Sequence, residues 1–325
     1  MPVQKKPPVN HRKSHVKFRT LADLARHMGV SMGKLQALAE QLDREREHTS
    51  LYRSWEQPKK SSGTRPIDAP RGELMRVQKL VNHTILQRLA VHPAARGGVR
   101  GRNLLSNVTP HIGKKMVATY DLENFFLTVA SARVYEFFCS AGCAPDVAHL
   151  LTRLTTFKGR LPQGAPTSPM LAVLVAGSGD HKSLYNRLQN LADQHNCDFT
   201  IYIDDITMSG SSYLDRLSRT IERIVQQSGF KINHKKIRFR EAHEQQAVTG
   251  VVVNEKPNVF RTECRRIRTI LHQCKNGVFP QDRIALKQHL RGKIAYIQSV
   301  NPEQGMKLLE QFNPIDWVSA SSENS

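Results

Sequence analysis

Two aspartates, Asp204 and Asp205, stand side by side after Tyr202-Ile203 in a stretch that is otherwise apolar and β-prone. Adjacent charges in such a segment are costly unless a cation neutralises them, and a divalent metal is the natural neutraliser. Asp121 ends another apolar stretch well upstream and is a candidate to converge on the same spot. Mg²⁺ takes a few carboxylate oxygens and completes its octahedron with substrate phosphates, and a pair of such ions activates an attacking hydroxyl while stabilising the leaving oxygen. That is the chemistry of phosphoryl or nucleotidyl transfer. A single Asp at a strand end is ordinarily a turn or cap residue; the pattern around these three argues for more.

Carboxylates in that role need strands to hold them. Residues 116–122 read as a buried strand, and residues 199–208 as two strands joined at a tight acidic turn. Helical segments lie between them, one starting after Thr167-Ser168-Pro169, where hydroxyls suit a cap and Pro suits the first helical position. Upstream, residues 58–70 read as two short strands around a Ser-Ser-Gly turn, followed by a helix over about 73–89 and a basic, Gly-rich loop at 96–102. Residues 1 to about 18 are basic and Pro-bearing and read as a flexible arm. Two short amphipathic helices follow, with apolar Leu21, Leu24, Ala25, Met28 and then Leu35, Leu38, Ala39, Leu42. Such a pair fits a DNA-reading helix-turn-helix, but a plainly packed hairpin is the better reading. From near Thr262 the chain reads as a basic helical unit ending in a Ser-rich tail.

The charge balance names the partner class. The 325 residues carry 48 Lys and Arg against 28 Asp and Glu, a net +20, which asks for a polyanion, nucleic acid before all others. Residues 170–177 form the longest apolar run, far short of the roughly 20 residues of a spanning helix, so no membrane partner is expected. The N-terminus lacks the apolar core of a signal peptide, and the five cysteines fit reduced thiols, so a cytoplasmic location is expected. Cys264, His272 and Cys274 lack a fourth ligand at finger spacing, which argues against structural zinc. Cys139 and Cys143, four apart, read as core residues of one helix.

The sequence resembles the reverse transcriptases. Tyr202-Ile-Asp-Asp is similar to their Tyr-x-Asp-Asp box, Tyr120-Asp-Leu-Glu-Asn-Phe-Phe to the strand that supplies their other metal-binding Asp, and Leu161-Pro-Gln-Gly-Ala-Pro-Thr-Ser-Pro-Met to the Gln-Gly-x-x-x-Ser-Pro box between them, in the same order. More narrowly, Asn107-Val-Thr-Pro-His111 is similar to the Asn-Ala-x-x-His element, and Val248-Thr-Gly250 to the Val-Thr-Gly triplet, of bacterial retron reverse transcriptases. Val108 and Ile203 both stand where that family usually has Ala.

The resemblance implies an α+β right-hand polymerase: a basic arm and helical hairpin over 1–50, fingers over 51–115, an antiparallel palm over 116–255 with finger insertions around 130–165, and a helical thumb with a short tail over 256–325. It implies RNA-directed DNA synthesis with dNTPs and two Mg²⁺ ions, Mn²⁺ substituting, held by Asp121, Asp204, Asp205 and the carbonyl of Leu122. Phe126 would exclude a 2′-hydroxyl, Lys60 and Arg65 would meet the triphosphate, Gln163 and Gly164 would lie under the templating pair, and Tyr202 would border the same site. Lys236 would act as general acid near the departing pyrophosphate, with Lys235 the alternative in register. Asn107, His111, Val248, Thr249, Gly250, Arg265 and Arg268 would recognise a structured noncoding RNA. That RNA would be copied from a guanosine 2′-hydroxyl into branched single-stranded DNA (msDNA), within an antiphage defence system that has a separate effector protein. The alternatives are a reverse transcriptase of a group II intron or a diversity-generating element, an RNA-templated RNA polymerase, and a non-catalytic nucleic-acid binder on a polymerase scaffold.

Overall fold

Apolar periodicity and the placement of caps account for most of the elements in the computed structural model, which describes residues 17–44, 50–59, 63–179, 183–210 and 213–317. Helix α1 (Leu21–Met28) opens on a capping box, Thr20 Oγ1 accepting from the Asp23 amide and the Asp23 carboxylate from the Thr20 amide, and stops at left-handed Gly29. It pairs with α2 (Met32–Arg44), and the predicted apolar stripe of each faces inward. Phe18, placed in the expected arm, is instead buried, and its carbonyl accepts from the Ala144 amide. The rest of the arm and the Ser-rich tail lie outside the described residues.

Strands β1 (Tyr52–Pro58) and β2 (Thr64–Pro70) form an antiparallel ribbon whose tip is exposed on both faces. Helix α3 (Gly72–Thr84) ends earlier than expected, the chain tightening into a 3₁₀ turn over Leu86–Arg88. After α4 (Leu104–Val108) comes β3 (Met116–Asp121), then α5 (Phe125–Thr128), α6 (Ser131–Ser140), α7 (Pro145–Thr155), α8 (Ser168–Gly177) and α9 (Leu184–Gln194). The apolar run of the sequence is α8, buried all round, which is why it shows no polar face. Neither hydroxyl before it caps: Thr167 Oγ1 lies 3.4 Å from Gln78 Oε1, and Ser168 Oγ donates to the Pro162 carbonyl at 2.6 Å. Cys143 lies beyond the end of α6 rather than on the same helix as Cys139, though it is buried.

Strands β4 (Asp198–Tyr202) and β5 (Asp205–Gly210) form the predicted hairpin. After α10 (Ser218–Gln227), β6 (Arg238–Glu241) completes an antiparallel sheet in the order β4-β5-β3-β6. One core binds the α1–α2 hairpin, α3 and α5–α10 to this sheet, so the N-terminal hairpin is packed into the body as plain helical packing predicts. A second core gathers α11 (Arg261–Lys275), α12 (Arg283–Val300) and α13 (Pro302–Phe312). It continues through the small hairpin of β7 (Ala247–Val248) and β8 (Val251–Val252) to Val108 of α4 and Val117 of β3. The architecture is therefore α+β, as expected. Among the described residues no helix is long and apolar enough to cross a membrane.

Candidate active site

The register of the central sheet assembles the carboxylates. Asp121, the last residue of β3, pairs across to Asp205, the first of β5, and Asp205 pairs on its other side with Tyr202. Ile203 and Asp204 are the two-residue turn between them, and Ile203 takes φ +61°, strained for a β-branched side chain. The Leu122 amide donates to the Asp204 carbonyl at 2.9 Å, which ties that turn back to the end of β3.

Three acids this close repel one another. Burial and then Asp121 raise the Asp204 carboxyl, which Lys236 and Arg65 oppose. Burial followed by Asp204 and Asp121 pushes Asp205 up to about 7. Lys236 answers the charge: its Nζ donates to Asp121 Oδ1 at 2.7 Å, and that bond raises the ammonium's own pKa. Of the two adjacent lysines, Lys236 is the one placed against Asp121. Among the described residues no three His, Cys, Asp or Glu side chains converge as a metal-holding group. The donor chemistry still suits a divalent cation, because carboxylate oxygens raised by burial and by a neighbouring carboxylate, as at Asp204 and Asp205, are what such an ion relieves.

A cleft of ≈ 250 Å³ opens beside these acids, walled by Thr119, Asp121, Asp205, Lys236, Arg238 and Thr249. Thr249 comes from the β7–β8 turn, where it and Gly250 both have positive φ, 47° and 81°, the form a two-residue hairpin turn takes. Gly accepts that backbone freely and Thr does not. The Thr249 hydroxyl accepts from Asn107 Nδ2 at 2.9 Å, and Val248 below it is buried.

Asn107 and His111, expected to meet RNA, are fully buried, so direct contact is replaced by an internal role. His111 Nδ1 lies 2.6 Å from Ser209 Oγ, and Nε2 lies 2.8 Å from Thr200 Oγ1. Thr200 donates to the Asn107 carbonyl at 3.4 Å, so it accepts from Nε2–H, and Nδ1 accepts from Ser209. The ring is neutral: burial lowers it from 6.5 to about 4, with Asp198 opposing in part. The pair thus ties α4 to strands β4 and β5 and to the Thr249 turn.

Other expected residues fall around the same sheet. Phe126 is half-buried beside fully packed Phe125. Gln163 accepts from the Asp68 amide at 2.8 Å, and Gly164 lies against Ile67, so this box docks on β2. Arg65 is exposed on β2, its guanidinium donating to Gln57 Oε1 at 3.3 Å; Lys60 lies outside the described residues. Arg265 and Arg268 are exposed on α11.

One positioning residue escaped the sequence reading, the only signal being the Gly pair within the basic loop. The loop runs along β4, Arg96 donating to the Ile201 carbonyl at 2.7 Å, and Gly97 sits under the acidic turn. A Cβ at Gly97 would lie 2.6 Å from Ile203 Cγ1 and 2.8 Å from the Ile203 amide. A Gly97→Ala variant is therefore expected to extend a primer about 10–100-fold more slowly in single-nucleotide assays, because roughly 1 Å of displacement at a reacting centre costs that much. Adding Ile203→Ala should restore part of the rate; no recovery would place the clash on the backbone alone.

Comparison with known proteins agrees with this geometry. Residues 57–253 match the family described as reverse transcriptase (RNA-dependent DNA polymerase). The Retron Mx65 reverse transcriptase of Myxococcus xanthus is 34% identical over 91% of this chain and 72% of its own length. The chain belongs to the retron reverse transcriptases. The Retron Ec86 reverse transcriptase of Escherichia coli is 31% identical over 78% of this chain and 77% of its own. A solved telomerase from Candida albicans aligns over 82% of this chain and 58% of that chain, at a TM-score of 0.47 and 10% identity. As a retron reverse transcriptase, the protein is an RNA-directed DNA polymerase, and the Asp121–Asp205 pair with Asp204 stands at the motifs on which that family resemblance was first drawn.

Proposed function

We propose that the protein copies part of a cognate structured noncoding RNA into single-stranded DNA, starting from a guanosine 2′-hydroxyl, within an antiphage system that includes a separate effector protein. The observation that carries this reading is the Asn107–Thr249 bond. It joins the two motifs of retron type and sets one of them in the wall of the cleft that Asp121 and Asp205 share. The product strand and the RNA are the partners, and dNTPs the substrates.

In the reaction the primer hydroxyl attacks the α-phosphate of a dNTP and pyrophosphate leaves in line. Asp121, Asp204, Asp205 and the Leu122 carbonyl would hold Mg²⁺, or Mn²⁺ in its place, which would supply activation of the hydroxyl and charge compensation at the leaving group. Arg65 and Lys60 hold the triphosphate, guanidinium by a fork and ammonium as a point charge. Lys236, protonated at neutral pH, gives its proton to the departing pyrophosphate. Gln163 and Gly164 carry the templating pair from the β2 side, beside Tyr202. The exposed Arg265 and Arg268 grip the RNA from a thumb at 256–325, opposite fingers at 51–115 and across the palm at 116–255.

Phe126 sets the sugar. A Phe126→Ala variant should accept rNTPs about 100-fold more readily relative to dNTPs, the scale on which an apolar contact discriminates one hydroxyl. Single-nucleotide extension with paired dNTP and rNTP titrations measures it, and an unchanged ratio removes Phe126 from that role. The reading as a whole is tested by expressing the chain with its flanking noncoding DNA and extracting small nucleic acids. An RNase-resistant, DNase-sensitive product with a branched RNA remnant, lost in the Asp204→Asn, Asp205→Asn double variant, is the expected result. Extension of generic primers without that product would keep the polymerase activity and overturn the proposed branched product and its priming.

A further inference from the structure

Phe126 sits on α5, a helix of four residues entered through Asn124 in the left-handed region at φ +49°. So short a helix is not rigid by itself, and the side chains around the ring must hold it in place. Phe125 lies beside Phe126 with ring centroids 5.8 Å apart at 51°, and Phe230 meets Phe125 in turn at 5.5 Å and 40°. Both separations fall in the range of about 4.5–7 Å over which aromatic rings attract. The Arg133 guanidinium, from α6, lies over the Phe230 ring at 4.6 Å from its centroid. Phe125 and Phe230 are each only 2% exposed, so neither can touch a nucleotide, whereas Phe126 is only half-buried.

Phe230 has a firm backbone. Its amide donates to the Val225 carbonyl at 3.1 Å, where the chain leaves α10 through Gly229 at φ +81°. A Cβ at Gly229 would come within 3.3 Å of an Arg133 nitrogen, so the guanidinium is packed closely on this corner. Immediately after Phe230, the Lys231 carbonyl accepts from the Glu123 amide and the Asn233 amide donates to the Asp121 carbonyl, both at 2.8 Å. The ring stack is thereby tied to the stretch that carries the first acid.

We propose that Phe230, with Arg133 over it, is a positioning residue for sugar selection, filling the space into which Phe125 and then the Phe126 ring would otherwise retreat from the incoming nucleotide. The inference rests on the reading of Phe126 as the group that excludes a 2′-hydroxyl, and adds that the exclusion depends on a side chain out of reach of the substrate. A ring yields to a hydroxyl only where there is room behind it. Close packing leaves none here, and shortening a buried ring makes some.

The test is single-nucleotide primer extension by the full chain, with paired dNTP and rNTP titrations on Phe230→Leu, Phe126→Ala and the double variant. Phe230→Leu should raise kcat/KM for the rNTP about tenfold and leave that for the dNTP within about threefold, a part of the effect of removing the Phe126 ring outright. In the Phe126→Ala background it should change the preference no further, the non-additivity of two residues acting through one contact. A side chain that only stabilises the fold lowers both rates alike; an unchanged ratio in Phe230→Leu therefore overturns the proposal. So does a preference that falls by the same factor in both backgrounds, since Phe230 would then act without Phe126. Should Phe230→Leu lose its melting transition, Arg133→Met removes the cation from the same stack at a partly exposed position. The preference for dNTP should then fall about threefold, the scale of one cation–π contact, and no change is again the overturning result. Failure of the underlying reading looks different: Phe126→Ala itself would leave the ratio unchanged, and both would fall together.

Discussion

An Asp204→Asn variant is expected to lose primer extension by at least about a thousandfold while keeping its RNA affinity within a few-fold. On the proposed reading, the carboxylate lost is one of three that would share a divalent cation, and several kcal/mol of transition-state stabilisation would go with it, at about 1.4 kcal/mol per tenfold. The fold should not suffer. Burial and the neighbouring Asp121 already work against the charge on Asp204, so a neutral isostere relieves repulsion in the metal-free protein. The variant is expected to melt at or above the parent's temperature in EDTA. Extension assays, RNA binding and a thermal melt on one preparation separate the outcomes. Loss of activity together with loss of folding would mean that Asp204 is a structural residue, and full activity would remove the metal-site assignment.

The second large effect concerns His111. Replacing it with Ala should destabilise the protein by about 3 kcal/mol, since a cavity forms and the hydroxyls of Ser209 and Thr200 lose their partners. The pH dependence has a definite sign. With a folded pKa of about 4 and an unfolded value near 6.5, the unfolded chain binds the extra proton first as pH falls. The contribution is therefore fully present above about 6.5 and is lost progressively down to about 4, by up to about 3 kcal/mol. Urea denaturation of the parent and of His111→Gln, compared at pH 7.5 and 5, isolates this group from the others that titrate in the same window. The parent should lose more stability than the variant between the two pH values. Equal losses would mean that the imidazole is solvated rather than sealed.

The sheet and its acids were legible in the sequence because charges interrupt apolar, β-prone stretches at Asp121 and at Asp204-Asp205. The hairpin, the helical C-terminal unit and the packed N-terminal hairpin followed from periodicity in the same way. The inward role of Asn107 and His111 was not legible. Asn107 on a five-residue helix and His111 in the 3₁₀ turn Thr109–His111 after it carry no periodicity that tells inside from outside, and their partners, Thr249 for the one and Thr200 and Ser209 for the other, are far away in sequence. Thr167 and Ser168 misled for a related reason: local spacing suggests a cap, yet long-range and loop contacts took both hydroxyls. Gly97 gave only the weak signal of a flexible loop, since the constraint on it is the space that Ile203 fills.

The second core has a consequence for how the molecule comes apart. Val108, Val117, Val248, Val251 and Val253 pack into the same cluster as the last three helices, so there is no apolar seam along which those helices detach by themselves. Amides of α11–α13 and of β7–β8 should exchange with solvent in one cooperative unit, opening at a single free energy rather than fraying from the C-terminus. A lesion deep in α12 would then be felt as a loosened turn at Thr249, in the wall of the cleft that Asp121 and Asp205 share.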